Sequence, residues 1–271
     1  MSQSFLYCII KKKVIKKGVF MKKIILILTL SIVLVSCGTF SKETVESSDS
    51  TKTSELSSSQ SETHSKEMEE PMKQFESGTL IQAVTQNDSE RVQEIMMDKT
   101  YNINEVNDRN ETPLLIATHN NYVEIAKILI DNGADVNQQD NIQDSPYLYA
   151  GAQGKTEILS YMIENSKPNQ QIYNRFGGNT IIPAAEKGHL DTVKVLLEDG
   201  TVDIDHQNNY GYTALIEAVA LTDGSQVYQD IVAELLKYGA DRTLKDNYGK
   251  TATDYARELG YGNILKMLEN Q

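Results

Sequence analysis

One alanine recurs through the last two thirds of this 271-residue chain. It stands at Ala83, Ala117, Ala150, Ala184, Ala218 and Ala256, at spacings of 34, 33, 34, 34 and 38 residues. A fixed period of about 20–50 residues marks a repeat architecture, in which no unit buries its apolar face alone. Two apolar columns move with the alanine. Nine residues on stand Val92, Ala126, Leu159 and Val193; twelve on stand Ile95, Leu129, Met162 and Leu196. The fifth copy carries five extra residues, with Val232 and Leu235 as its equivalents, and the sixth returns to register with Leu265 and Leu268. Positions three apart share one face of a helix. In a chain only 39% apolar, columns this regular are far beyond chance and mark one unit repeated six times.

The clearest copy reads Thr112-Pro113-Leu114-Leu115-Ile116-Ala117, continues through Ile125, Ile128 and Leu129, and closes Gly133-Ala134-Asp135-Val136-Asn137. These residues resemble the ankyrin repeat, with its Thr-Pro-Leu-His-x-Ala opening and Gly-Ala-Asp-Val-Asn close. The resemblance covers about residues 78–271. It implies an all-α solenoid of about six helix-turn-helix repeats joined by short β-hairpin loops. Thr caps exposed helical N–H groups, Pro is tolerated in the first turn, and Gly133 ends the second helix. Repeat four restores Gly188-His189 but has Asn179-Thr180-Ile181 in place of Thr-Pro-Leu. Repeat one lacks Thr-Pro and repeat six stops after its second helix, so both read as caps. Repeat three closes Ser166-Lys167-Pro168-Asn169, which predicts an irregular hairpin. The insertion near Thr222-Asp223-Gly224-Ser225-Gln226 is expected to protrude from one edge.

The other end of the chain has a different character. After Met21-Lys22-Lys23, residues Ile24 to Val35 are apolar except for Thr29 and Ser31. Twelve residues are too few to span a bilayer, which takes about 20. They suit the apolar region of an export signal with a positive flank. Leu34-Val35-Ser36-Cys37 resembles a bacterial lipobox. The resemblance implies cleavage before Cys37, a diacylglyceryl group on its sulfur and often an amino-terminal acyl chain such as palmitate. Acyl chains would hold the protein to the outer face of the cell membrane. Residues 1–20 read as an upstream extension, with translation starting at Met21, and residues 21–36 as the signal. Residues 37–71 read as a lipid-anchored spacer ahead of the repeat domain at 72–271. Ser or Thr fill 14 of positions 41–70, with Val45, Leu56 and Met68 the apolar exceptions, so this stretch is expected to stay disordered.

Charge narrows the partners. All 38 acidic residues and 19 of the 26 basic ones follow residue 36, a net of −19. Such a surface repels phosphate backbones, which argues against nucleic acid and favours a basic partner. The two Cys, at 8 and 37, make neither a disulfide framework nor a four-ligand zinc site. No Gly-x-Ser-x-Gly or His-Glu-x-x-His occurs, and the four His share no ligand spacing, so no enzyme, metal, cofactor or small-molecule substrate is expected.

Ankyrin-like proteins bind proteins on a concave face of hairpin tips and first helices. Counting back from each Thr-Pro position, that resemblance nominates Arg109, Glu111, Ile142, Asp144, Arg175, Phe176, Tyr210, Tyr212 and Tyr248. Phe176, Tyr210 and Tyr248 occupy one tip position in three successive repeats. Exposed aromatics and Arg dominate interface hot spots. The sequence therefore reads as a membrane-anchored, extracytoplasmic protein-interaction module. An Ile-, Lys-, Asn- and Tyr-rich composition points to a Gram-positive host. Two other roles stay open: immunity or inhibition toward a secreted toxin or enzyme, and envelope stress protection.

Overall fold

The computed structural model describes residues 74–270. The expected signal, the lipobox with Cys37 and the spacer lie outside the described residues. Among the described residues six helix pairs follow one another: α1 (Thr79–Thr85) and α2 (Ser89–Met96), α3 (Pro113–Asn120) and α4 (Val123–Asp131), α5 (Pro146–Ala152) and α6 (Thr156–Asn165), α7 (Ile181–Glu186) and α8 (Leu190–Asp199), α9 (Ala214–Ala220) and α10 (Gln226–Lys237), α11 (Ala252–Leu259) and α12 (Gly262–Glu269). First helices pack on first helices of the next pair, and second helices on second helices. Each pair also packs internally, which gives two layers sharing one continuous core.

The repeating alanine explains the close stacking. All six copies are buried, at the centre of the first-helix layer. A small side chain there lets neighbouring backbones approach. Gly151 marks an extreme: a Cβ at this position would lie 2.1 Å from the Thr180 side chain in the next repeat. The two apolar columns form the seam between layers, and eleven of their twelve members are buried. Leu265 is half-buried, while Ile264 and Leu268 fill the core there.

Capping follows the sequence where the residues allow it. The hydroxyls of Thr112, Ser145, Thr213 and Thr251 accept hydrogen bonds from the N–H groups of Leu115, Leu148, Ile216 and Asp254 at 3.1–3.2 Å. The Asp254 carboxylate returns the bond to Thr251 N–H at 3.0 Å and completes a capping box. Repeat four lacks this device: Asn179 stands where the capped repeats have their capping hydroxyl, α7 starts one residue later after Thr180, and no side chain caps its 6 residues. Repeat one solves the problem at a distance. The buried carboxylate of Glu105, in the following hairpin, accepts from Gly78 N–H at 2.6 Å, Ile81 N–H at 3.0 Å and the Tyr101 hydroxyl at 3.0 Å.

One expectation needs correction. The connecting hairpins contain no strand among the described residues; they are closed turns. Their backbone bonds run within one tip and between tips, so no ladder long enough for a strand develops. The insertion in repeat five is part helix and part loop. Its extra residues lengthen α10 to 12 residues. The loop itself is pinned by Tyr261, whose hydroxyl donates to the Thr222 carbonyl at 2.7 Å. Asp223, Ser225 and Gln226 remain exposed.

Candidate protein-binding surface

Each hairpin tip is built on one Asn or Asp at its base. The Oδ1 atoms of Asn107, Asp140, Asn174, Asn208 and Asp246 each accept two backbone hydrogen bonds, from the residues two and four positions on. These bonds span 2.8–3.0 Å. Short Asn and Asp side chains suit such turns because they reach their own backbone two residues on. The bend next requires a positive φ, found at Asn110, Gln143, Gly177, Gly211 and Gly249. At Gly211 the requirement is doubled: φ is 75°, and a Cβ would lie 2.8 Å from the Asn247 backbone nitrogen.

The turn decides which side chains face water. The residue two after the base points out, and this position holds Arg109, Ile142, Phe176, Tyr210 and Tyr248. The last four are 37–64% exposed, unusual for large apolar side chains. They form one stripe along the tips. Backbone bonds tie several tips together: Asn141 N–H to Arg109 C=O at 3.1 Å, Asn209 N–H to Phe176 C=O at 2.9 Å, and Asn247 N–H to Tyr210 C=O at 3.1 Å. Between repeats three and four the tie is different. There the Arg175 guanidinium reaches the Ile142 carbonyl at 3.4 Å. Arg175 also lies 5.0 Å from the centre of the Phe176 ring and 3.5 Å from Asp144 Oδ2.

Two nominated residues are not available to a partner. The residue four after the base turns inward, so Glu111 and Tyr212 are each only 5% exposed. Tyr212 stacks edge-on against Tyr255, with ring centres 6.3 Å apart. Tyr255 in turn donates from its hydroxyl to Asp246. Glu111 accepts from Arg109 Nε and Nη2 at 2.9 and 2.7 Å, and from Asn107 Nδ2 at 2.7 Å. Burial pushes its carboxyl upward, but these hydrogen bonds outweigh burial and leave it below the ordinary carboxylate range. Asp144 shares the position and is partly buried; there burial dominates and holds its carboxyl above the usual range.

Behind the Arg109 tip, His119 completes a mixed-charge cluster. Its Nδ1 lies 3.6 Å from Glu111 Oε1, and its ring lies 4.2 Å from the ring of Tyr149. Its Nε2 is buried without a hydrogen-bond partner. Burial lowers its pKa, against the pull of Glu111, Asp140 and Asp144. The base residues Asn107 to Asp246 were missed by motif reading. The signal was present: Asn or Asp stands ten residues before each of the last five period alanines. No group of His, Cys, Asp and Glu among the described residues could hold a metal ion.

Helix pairs that share a core only with their neighbours, and expose a row of turns, define a repeat solenoid. The chain belongs to the ankyrin repeat family: a model of three ankyrin repeats matches residues 80–172, 147–246 and 184–271. The crystal structure of EF0377, an ankyrin repeat protein, is 58% identical, covers 72% of this chain and 98% of its own, and superposes with a TM-score of 0.71. An ankyrin repeat domain from Acinetobacter baumannii AYE is 45% identical over 70% of this chain and 95% of its own, with a TM-score of 0.67. The Escherichia coli (strain K12) protein YahD is 44% identical over 103 residues, 38% of this chain and 51% of YahD. The chain thus spans about half the length of that curated relative. The ankyrin domain of Bcl-3, at 22% identity and a TM-score of 0.64, shares the fold.

Proposed function

We propose that this ankyrin repeat protein is a lipoprotein, anchored through Cys37 to the outer face of a bacterial membrane, that binds a protein along its tip stripe. The repeat fold suits protein–protein interaction, and the stripe carries the reading. Ile142, Phe176, Tyr210 and Tyr248 are exposed side by side on rigid turns, where ordering them costs little entropy on binding. The acidic balance of the chain favours a basic partner and a salt-sensitive encounter. Lipid attachment would raise the local concentration and let modest affinity suffice. Recognition without turnover is the mechanism.

The test is capture from envelope and culture fluid with the full chain, beside a variant carrying Phe176→Ala, Tyr210→Ala and Tyr248→Ala. A stoichiometric partner retained by the native chain and lost by the variant is the expected result. Equal capture by both would move binding away from the stripe. For the anchor, Cys37→Ala should abolish membrane retention in detergent partitioning; unchanged retention would end the lipoprotein reading.

A further inference from the structure

The tip position two residues after the stripe differs from repeat to repeat in how its charge is met. At Glu111 the carboxylate has three hydrogen bonds of 2.7–2.9 Å, two of them from Arg109. At Lys250 the ammonium meets both Glu258 oxygens at 2.7 and 2.6 Å. At Asp144 the side chain is 19% exposed, and its one ion pair among the described residues is Arg175 at 3.5 Å. Arg175 is itself divided. Its guanidinium also reaches the Ile142 carbonyl at 3.4 Å, lies on the Phe176 ring, and stays 46% exposed. None of these contacts is short, so the guanidinium is held loosely.

Asp144 therefore combines three properties found together at no other tip among the described residues. It is largely desolvated, weakly countered, and linked through Arg175 to two stripe residues, the Ile142 carbonyl and the Phe176 ring. A carboxylate taken out of water needs a close cation to offset the loss of hydration. The wider field has the same sign: residues 74–270 hold 30 acidic and 15 basic side chains. Resting on the reading of the stripe as a protein-binding edge, we propose that the partner delivers an arginine or lysine, flanked by an apolar residue, to Asp144 beside the stripe, and that this cation displaces Arg175 from the carboxylate. The apolar neighbour packs on Ile142 and Phe176 while the cation pairs with the carboxylate. Arg175 is then a placeholder that keeps the site closed to neutral ligands.

The probe is a library of random short peptides displayed on phage and panned on the full chain. Selected peptides are then synthesised and their affinities measured by fluorescence anisotropy. The expected binders carry Arg or Lys beside an apolar residue. Replacing that base with norleucine weakens binding to the native chain by about tenfold or more. The same replacement has little effect on Asp144→Asn, because the pairing is already gone. Arg175→Ala tightens binding by removing the competitor. The peptide exchange keeps the test independent of how the variants fold. Binders lost with Phe176→Ala but indifferent to both the base and Asp144→Asn would overturn the anchor and leave the stripe standing. Weaker binding by Arg175→Ala would overturn the displacement. A library yielding only binders indifferent to stripe and anchor alike, or none, would overturn both readings.

Discussion

Asn208→Ala tests whether the base residues hold the tips. Asn208 is buried, and its Oδ1 accepts from Tyr210 N–H at 2.9 Å and Tyr212 N–H at 3.0 Å. Its Nδ2 donates to the buried carboxylate of Glu217 at 2.9 Å. Alanine removes all three bonds and supplies nothing in return. A buried N–H that loses its acceptor costs about 1–3 kcal/mol, and the Glu217 carboxylate loses a donor besides. With partial access of water to the Tyr210 N–H, the total comes to about 3 kcal/mol. In a repeat domain of this size that lowers the melting temperature by about 6–12 °C. The assay is urea and thermal unfolding of the full chain followed by circular dichroism, with amide exchange read at Tyr210 and Tyr212. Asp140→Asn is the control. It keeps the Oδ1 acceptor at the equivalent base, as Asn107, Asn174 and Asn208 do naturally, and should change stability by less than about 1 kcal/mol. An Asn208→Ala cost under about 1 kcal/mol, or unchanged exchange at both tyrosines, would refute the role given to the base residues.

Three further outcomes follow from the same geometry. Gly151→Ala should destabilise the domain by about 1–3 kcal/mol in urea unfolding, because the new methyl would enter the Thr180 side chain at 2.1 Å. Glu105→Ala should speed amide exchange across α1 and α2 while leaving later repeats protected, since its carboxylate is what caps α1. The third outcome concerns acid. Burial lowers the pKa of both His119 and His189 below the ordinary 6.5, so the unfolded chain takes up protons that the folded chain resists. Their contribution is fully present above pH 6.5 and is lost as the pH falls through the folded values. Urea midpoints should therefore be flat above 6.5 and decline below it, and His119→Gln with His189→Gln should flatten that decline.

Much of the fold was legible because a solenoid repeats its physics. Ala117 announces close packing, and Thr112-Pro113 announces a helix start, because each follows from local chemistry written into one copy and reiterated in others. The six anchors are buried as that reasoning requires. What escaped was the direction of side chains within a turn. Arg109 and Glu111 stand two residues apart in a polar stretch, as Tyr210 and Tyr212 do, and residue type does not separate the exposed member from the buried one. The Asn107 and Asn208 carbonyls make that separation by fixing the bend. The cap on α1 was hidden for another reason. Glu105 lies 27 residues from the N–H it satisfies, in a repeat whose own helix start carries no recognisable signal.

The bonds between tips leave the chain free to change length elsewhere. Asn141 Nδ2 reaches the Asp108 carbonyl across 33 residues, at 3.3 Å. Asn247 Nδ2 makes the equivalent bond to the Asn209 carbonyl across 38 residues, at 3.0 Å. Five inserted residues have thus entered across the turn after α9 and α10 itself, while the bonds between tips are kept. The row of tips behaves as a ruler with fixed graduations, and the turns between paired helices as a margin where text can be added. Such a scaffold can acquire new loops, and with them new contacts, while the spacing that an existing partner reads stays constant.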